Sequence, residues 1–238
     1  MICVCDYRTP KGVLDSLKKD FEIIQLPPDT SLPEAVNGHS DLLIFKIDNK
    51  LVTRKSYYRT AKDKIDLICD KGGLNLVLSD VEAGDHYPND CGLCATVSGR
   101  KIICRKASTD VEILRLADDP GYNLLNVPQG YSKCSCAVLA DGAIITADRG
   151  IAKVTLENGI DTLLISEGNV ELPGYTYGFI GGATGLCENT LYFCGNLESH
   201  TDHTAIEEFA RKHSTKCVSL SEEKLYDVGS LLFISKQA

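Results

Sequence analysis

The chain has 238 residues, 43% of them hydrophobic, enough to bury a substantial core. Its 25 Lys and Arg against 33 Asp and Glu give a net charge of −8 with no dense basic run, which argues against nucleic acid as a partner. No apolar run approaches the roughly 20 residues of a membrane helix, and Asp6 interrupts "MICVCDYRTPKG" before a signal-type core, so the expected location is the cytoplasm, with no membrane partner.

In chain order, "MICVC" reads as a strand, "TPKGVLDSLKKD" as a helix with Pro10 near its start, and "FEIIQLP" as a further strand. Four hairpins follow, "IFKIDNKLVTRK", "CATVSGRKIICR", "AVLADGAIITAD" and "GLCENTLYFCG", with Asn49, Gly99, Gly142 and Asn189 at or near their turns. Each leads through a polar or helical stretch to a short apolar run: "LNLVLSD", "YNLLNVP", "IDTLLIS" and "TKCVSLS". These runs suit buried strands. The unit of strand, strand, helix, strand recurs at about 45 residues, the mark of a repeat architecture. The C-terminal "VGSLLFIS" reads as a first strand without its hairpin partner, and the N-terminal strand supplies one. Residues 229–235 are therefore expected to pair antiparallel with residues 1–5, joining the chain ends and closing five units into a ring. The expected architecture is one α/β domain over residues 1–238, a five-bladed β/α propeller with pseudo-fivefold symmetry.

The glycine-rich "GFIGGATG" superficially resembles a dinucleotide-binding loop, but that motif needs a helix directly after it to converge amide groups on a pyrophosphate. Here a hairpin follows. Gly181 and Gly182 are better explained by close backbone approach where the units converge, with direct ligand contact as the alternative. No cofactor is expected.

Five such units resemble the pentein fold of the guanidino-group-modifying enzymes, which include agmatine and arginine deiminases, dimethylarginine hydrolase and amidinotransferases. The segments "GYSKCSCAVLADGAIITADRGIAK", "ELPGYTYGFIGGATG" and "LYDVGSLLFI" resemble uncharacterised bacterial proteins assigned to that fold. The resemblance implies a cysteine nucleophile, a histidine acid/base and carboxylates for a cationic substrate, carried on the segments that enter successive blades. Asp90 in "YPNDCGL" matches the aspartate of the enzymes' Arg-Asp-x-Gly pattern, with Asn89 in the arginine's place. Gln129 stands where they carry Glu-Gly-Gly, Gly182 and Thr184 where they carry His-x-Asp, and Ser230 nearest their nucleophilic cysteine.

Eleven cysteines, an odd number spread along the chain, fit reduced thiols. Cys134 and Cys136 stand beside Lys133, whose ammonium could lower the Cys134 pKa and make it the candidate nucleophile; the alternative is two small strand residues on one face. The loop "EAGDHYPND" gathers Glu82, Asp85, His86 and Asp90, a carboxylate-rich set suited to an amine on the ring axis, or a solvated acidic loop. No metal is expected. Cys91 and Cys94 in "CGLC" face opposite ways if they lie on a strand, and His200, Asp202 and His203 read as a helix start, with Thr204 and Glu207 as a capping box and His213 near the helix end. The first function expected is a small-molecule site on the ring axis for a polar guanidino, amidino or amine ligand, built from Asp90, the Gln129, Tyr131 and Lys133 loop, the Gly182 and Thr184 loop, and Asp227 with Ser230. If catalytic, it is a cysteine-dependent enzyme acting on C–N bonds. The alternative is a non-catalytic pentein serving as a protein-binding ring.

Overall fold

A computed structural model describes residues 1–118 and 121–235. The chain opens with β1 (Ile2–Asp6), α1 (Lys11–Leu17) and β2 (Glu22–Leu26), and the single turn α2 (Ser40–Leu43) leads into β3 (Ile44–Ile47), β4 (Lys50–Arg54), α3 (Lys55–Gly72) and β5 (Asn75–Ser79). Next come β6 (Thr96–Ser98), β7 (Lys101–Cys104), α4 (Val111–Ala117) and β8 (Asn123–Asn126). Another single turn, α5 (Ser132–Ser135), precedes β9 (Cys136–Val138), β10 (Ile144–Thr146), α6 (Arg149–Glu157) and β11 (Thr162–Leu164). The last unit is β12 (Thr184–Cys187), β13 (Thr190–Phe193), α7 (His203–Lys212) and β14 (Lys216–Ser219), after which β15 (Leu232–Ile234) ends the described chain.

These strands form five three-stranded sheets of one pattern, an antiparallel hairpin whose second strand pairs parallel with the strand beyond the helix. The fifth sheet joins the chain ends: Ile2, Cys3 and Val4 pair antiparallel with Ile234, Phe233 and Leu232, and β1 pairs parallel with β2. A left-handed residue lies at each of the four hairpin turns, Asp48, Gly99, Gly142 or Glu188. Gly99, at φ 55°, adopts that conformation without a Cβ penalty.

Burial within a sheet differs from the sequence expectation. Middle strands are the most enclosed, β1 and β10 throughout, whereas β5, β8, β11 and β14 are only partly covered. The third strand is an edge strand, so its apolar run meets the covering helix on one face only. Each sheet packs on its neighbour through an apolar cluster shared by both: Phe45 and Val52 meet Ile102 and Ile113 of the next unit, and Ile103 and Leu125 meet Ile144 and Ile151 of the one after. Adjacent residues of one middle strand, Ile102 and Ile103, thus serve opposite neighbours, as the alternation of a strand requires.

The start of α7 also differs from expectation. Asp202 is the N-cap residue but makes no capping bond; its carboxylate accepts from the Ser166 amide at 2.5 Å, and Thr204 lies inside the helix, so no capping box forms. His213 is the C-cap residue and reaches Asp141 and Asp161 with its two ring nitrogens, 2.7 and 3.1 Å away. All eleven cysteines are free. Among the described residues no helix is long and apolar enough to cross a membrane.

Candidate functional site

The segments that enter the five first strands are laced together at one place. Asp41 N donates to Gly229 O, and Ser40 Oγ reaches the carbonyls of Gly229 and Ser230. Gly182 N donates to Cys134 O, while Gly182 O accepts from Val228 N and Ser230 N, and Ser132 Oγ donates to Cys94 O. The two glycines are there for space. A Cβ on Gly181 would stand 2.4 Å from Lys133 O, and one on Gly182 would stand 2.0 Å from Asp227 Oδ1.

Asp227 is the anchor of this junction. Its Oδ2 accepts from Phe179 N at 2.8 Å and its Oδ1 from Gly229 N at 2.9 Å, with His39 Nδ1 3.8 Å from Oδ1. Burial pushes the Asp227 carboxyl above its ordinary range, and His39 opposes that rise. Ser230, held at φ 70°, donates to Asp41 Oδ2 at 2.7 Å and lies 2.9 Å from Gly181 O, while Lys133 Nζ donates to Ser230 Oγ at 3.0 Å. A left-handed serine at the point of convergence is backbone strain retained where charged groups meet.

Beside this chain of polar groups lies a cavity of about 220 Å³. Residues from the first strands of all five sheets wall it, including Phe45, Val97, Val138, Leu186 and Leu232, and Lys133, Ser230, Asp41 and Ser40 form its polar part. Further along, Tyr131 donates its hydroxyl to Asp90 Oδ2, with the Tyr131 ring 5.4 Å from Tyr87 and 6.2 Å from Phe179. Burial raises the Asp90 carboxyl, and the Tyr131 hydrogen bond partly offsets it. Three buried atoms of this region, His39 Nδ1, Asp41 Oδ1 and Asp90 Oδ1, have no hydrogen-bond partner.

Of the residues singled out from sequence, Asp90, Tyr131, Lys133, Cys134, Gly182, Thr184, Asp227 and Ser230 lie on these converging segments. Asp85, His86 and Asn89 do not join them: they are exposed, Asp85 and His86 paired with each other at 2.5 Å. Gln129 turns away to donate to Asp148 Oδ2 and lines a different cavity of about 180 Å³ with Ser135 and His200. The expected effect of Lys133 on Cys134 is reversed. The lysine's amine is engaged with Ser230, and burial pushes the Cys134 thiol well above its ordinary value, an effect reinforced by Cys94, whose Sγ lies 3.7 Å away. Cys134 is also not part of the cavity wall. Cys94 lies in a turn rather than on a strand, and Cys91 points elsewhere, toward Pro88 O and Ser108.

Sequence reasoning passed over His39, Ser40 and Asp41. The signal was present: "GHSDLL" precedes the first hairpin as "YSKCSC" and "VGSLLF" precede later strands, and stepping back from that hairpin by the same few residues finds them.

Several solved structures share this architecture at low sequence identity. An amidinotransferase, SxtG of the saxitoxin biosynthetic pathway from Microseira wollei, matches with a TM-score of 0.56 and 11% identity over 94% of this chain and 78% of its own. DDAH from Pseudomonas aeruginosa, in complex with citrulline, matches with a TM-score of 0.56 and 10% identity over 92% of this chain and 91% of its own. ArgZ, an arginine dihydrolase of the cyanobacterial ornithine–ammonia cycle, gives 0.54 at 9% identity, over 93% of this chain but 36% of its own. These are pentein-fold enzymes, and the likeness establishes that fold for this chain. No curated protein matches the sequence. The model of one sequence family matches residues 4–232, nearly the whole chain, and the protein belongs to that family, DUF6873, a family of unknown function.

Proposed function

We propose that the five sheets are the blades of a β/α propeller closed by the β1 and β15 pairing, and that its axial cavity binds a small polar molecule of the guanidino, amidino or amine class. The observation that carries this reading is the polar part of the cavity. Lys133, partly buried, and the buried Ser230 and Asp41 form a hydrogen-bonded chain along one side of a space otherwise walled mainly by apolar residues. Such an arrangement, apolar walls with a few placed polar groups, is the usual form of a small-ligand site. Its volume of about 220 Å³ corresponds to roughly seven waters at ~30 Å³ each, the scale of an amino-acid-like compound. One carboxylate, Asp41, lines the cavity beside Lys133 and can receive a cationic head group. The names of the similar structures, an amidinotransferase and a DDAH bound to citrulline, support the same ligand class. The free cysteines support a reducing, cytoplasmic setting.

Any reaction on a C–N bond needs a nucleophile that faces the ligand. Ser230 and Lys133 line the cavity and Cys134 does not, so Ser230 is better placed than the buried thiol. The test is thermal unfolding with guanidino, amidino and amino-acid-like compounds, in the wild type and in Ala95→Phe, which fills the cavity. A bound compound raises Tm with its concentration in the wild type only. Stabilisation by none of them, or an equal response in Ala95→Phe, overturns the reading and favours the protein-binding ring.

A further inference from the structure

We propose that His39, Asp41 and Cys134 form a buried binding site for a divalent ion of the zinc type. The site shares Asp41 with the cavity wall, but neither His39 nor Cys134 contributes to that wall, and metal uptake is read without any cavity ligand.

Each of the three residues offers one ligand atom, an imidazole nitrogen, a carboxylate oxygen and a thiol sulfur, and these atoms lie within 4.8 Å of one another on buried side chains. Two of the residues carry buried atoms that make no hydrogen bond, Asp41 Oδ1 and His39 Nδ1, the latter 3.8 Å from Asp227 Oδ1. A buried polar atom without a hydrogen bond is destabilising, and two on a triad that includes a thiol point to something the three jointly hold. The donor set identifies its class. Thiolate and imidazole select a zinc-like ion, whereas magnesium and calcium take oxygen ligands.

Ligand bonds of about 2.0–2.3 Å give tetrahedral edges of roughly 3.3–3.8 Å, so the triad needs to close by about 1 Å around an ion. A second sulfur is already at such a spacing: Cys94 Sγ is 3.7 Å from Cys134 Sγ. The surroundings hold the ligands in place as a metal site requires. Ser230, itself bonded by Lys133, donates to Asp41 Oδ2. Asp227, fixed by two backbone amides, faces the Nδ1 edge of His39 at 3.8 Å. Gly229 makes room for the imidazole, since a Cβ there would fall 2.1 Å from His39 Cβ.

Binding converts the Cys134 thiol to a thiolate, its proton passing to solvent, and the Asp41 carboxylate with that thiolate balances the charge of the divalent ion. Neutrality inside the protein favours this arrangement over an isolated buried thiolate. Burial of Cys134 away from the cavity wall fits a structural ligand better than a nucleophile, which has to meet a substrate.

The test uses the intact protein, stripped with a chelator and titrated with Co²⁺ and then Zn²⁺. The expected result is one metal per chain, a near-ultraviolet thiolate-to-cobalt band bleached by Zn²⁺, and a Tm that rises with Zn²⁺. Cys134→Ser abolishes the band and His39→Gln weakens binding at least tenfold, while Cys69→Ser, altered on α3, changes neither. No stoichiometric uptake by the wild type overturns the proposal, and this result needs no variant to fold. A cobalt band of full strength in Cys134→Ser overturns it as well.

Discussion

Gly182→Ala tests the packing of the junction directly. Gly182 has a φ outside the left-handed region, so alanine carries no backbone penalty there and the effect is steric. The new Cβ would fall 2.0 Å from Asp227 Oδ1 and 2.4 Å from its Cγ. Asp227 cannot yield freely, because Phe179 N and Gly229 N hold its two oxygens. Displacing it loses two charge-assisted hydrogen bonds at about 1.5–3 kcal/mol each, and overpacking adds about 1–3 kcal/mol. Partial relaxation brings the expected loss to roughly 3–6 kcal/mol, a large share of the 5–15 kcal/mol of a typical domain. At about 2–4 °C per kcal/mol for a chain of this length, Tm falls by roughly 6–24 °C. Urea unfolding of the wild type, both single variants and the double variant with Asp227→Ala measures the coupling. Once Asp227 is truncated, Gly182→Ala is expected to cost under about 1 kcal/mol more. An equal cost in both backgrounds, or a loss under about 1 kcal/mol in the wild type, refutes the reasoning.

Three further outcomes are expected. Cys134, whose thiol is buried and held protonated, alkylates with iodoacetamide only as fast as the protein opens, behind the partly exposed Cys187; rapid labelling in the native state contradicts its placement. Asp90 and Asp227 have raised carboxyl pKa values, so the folded chain binds more protons than the unfolded one from about pH 3.9 up to those values. Stability contributed by the protonated carboxyls is therefore lost as pH rises through that window, and Asp90→Asn flattens its share of the slope in denaturant titrations across pH. Ending the chain at Gly229 removes β15 and with it buried Leu231 and Ile234, about 1.5–3 kcal/mol each in burial alone; near-ultraviolet circular dichroism is expected to show loss of fixed packing, and a native spectrum counts against the pairing as a structural joint.

The sequence by itself determined the units and their order, because the signals for hairpins and helices are local. Asn49, Gly99, Gly142 and Asn189 mark turns that form where they were expected, and the helices and third strands follow each of them in the same order. The pairing of β1 with β15 was legible too, since an apolar strand without a hairpin partner at each chain end leaves one arrangement that satisfies both. What the tertiary structure decided are the quantities set by neighbours distant in sequence. The adjacency of Lys133 to Cys134 suggested a lowered thiol pKa, but the lysine side chain extends to Ser230 and burial raises the thiol instead. His39 and Asp41 lie on a short polar-to-apolar stretch, and only the convergence of segments distant in sequence brings them to Cys134 and Asp227. Local backbone preferences can be read along the chain. Desolvation, hydrogen-bond partners and the direction of a pKa shift depend on which side chains the fold places together.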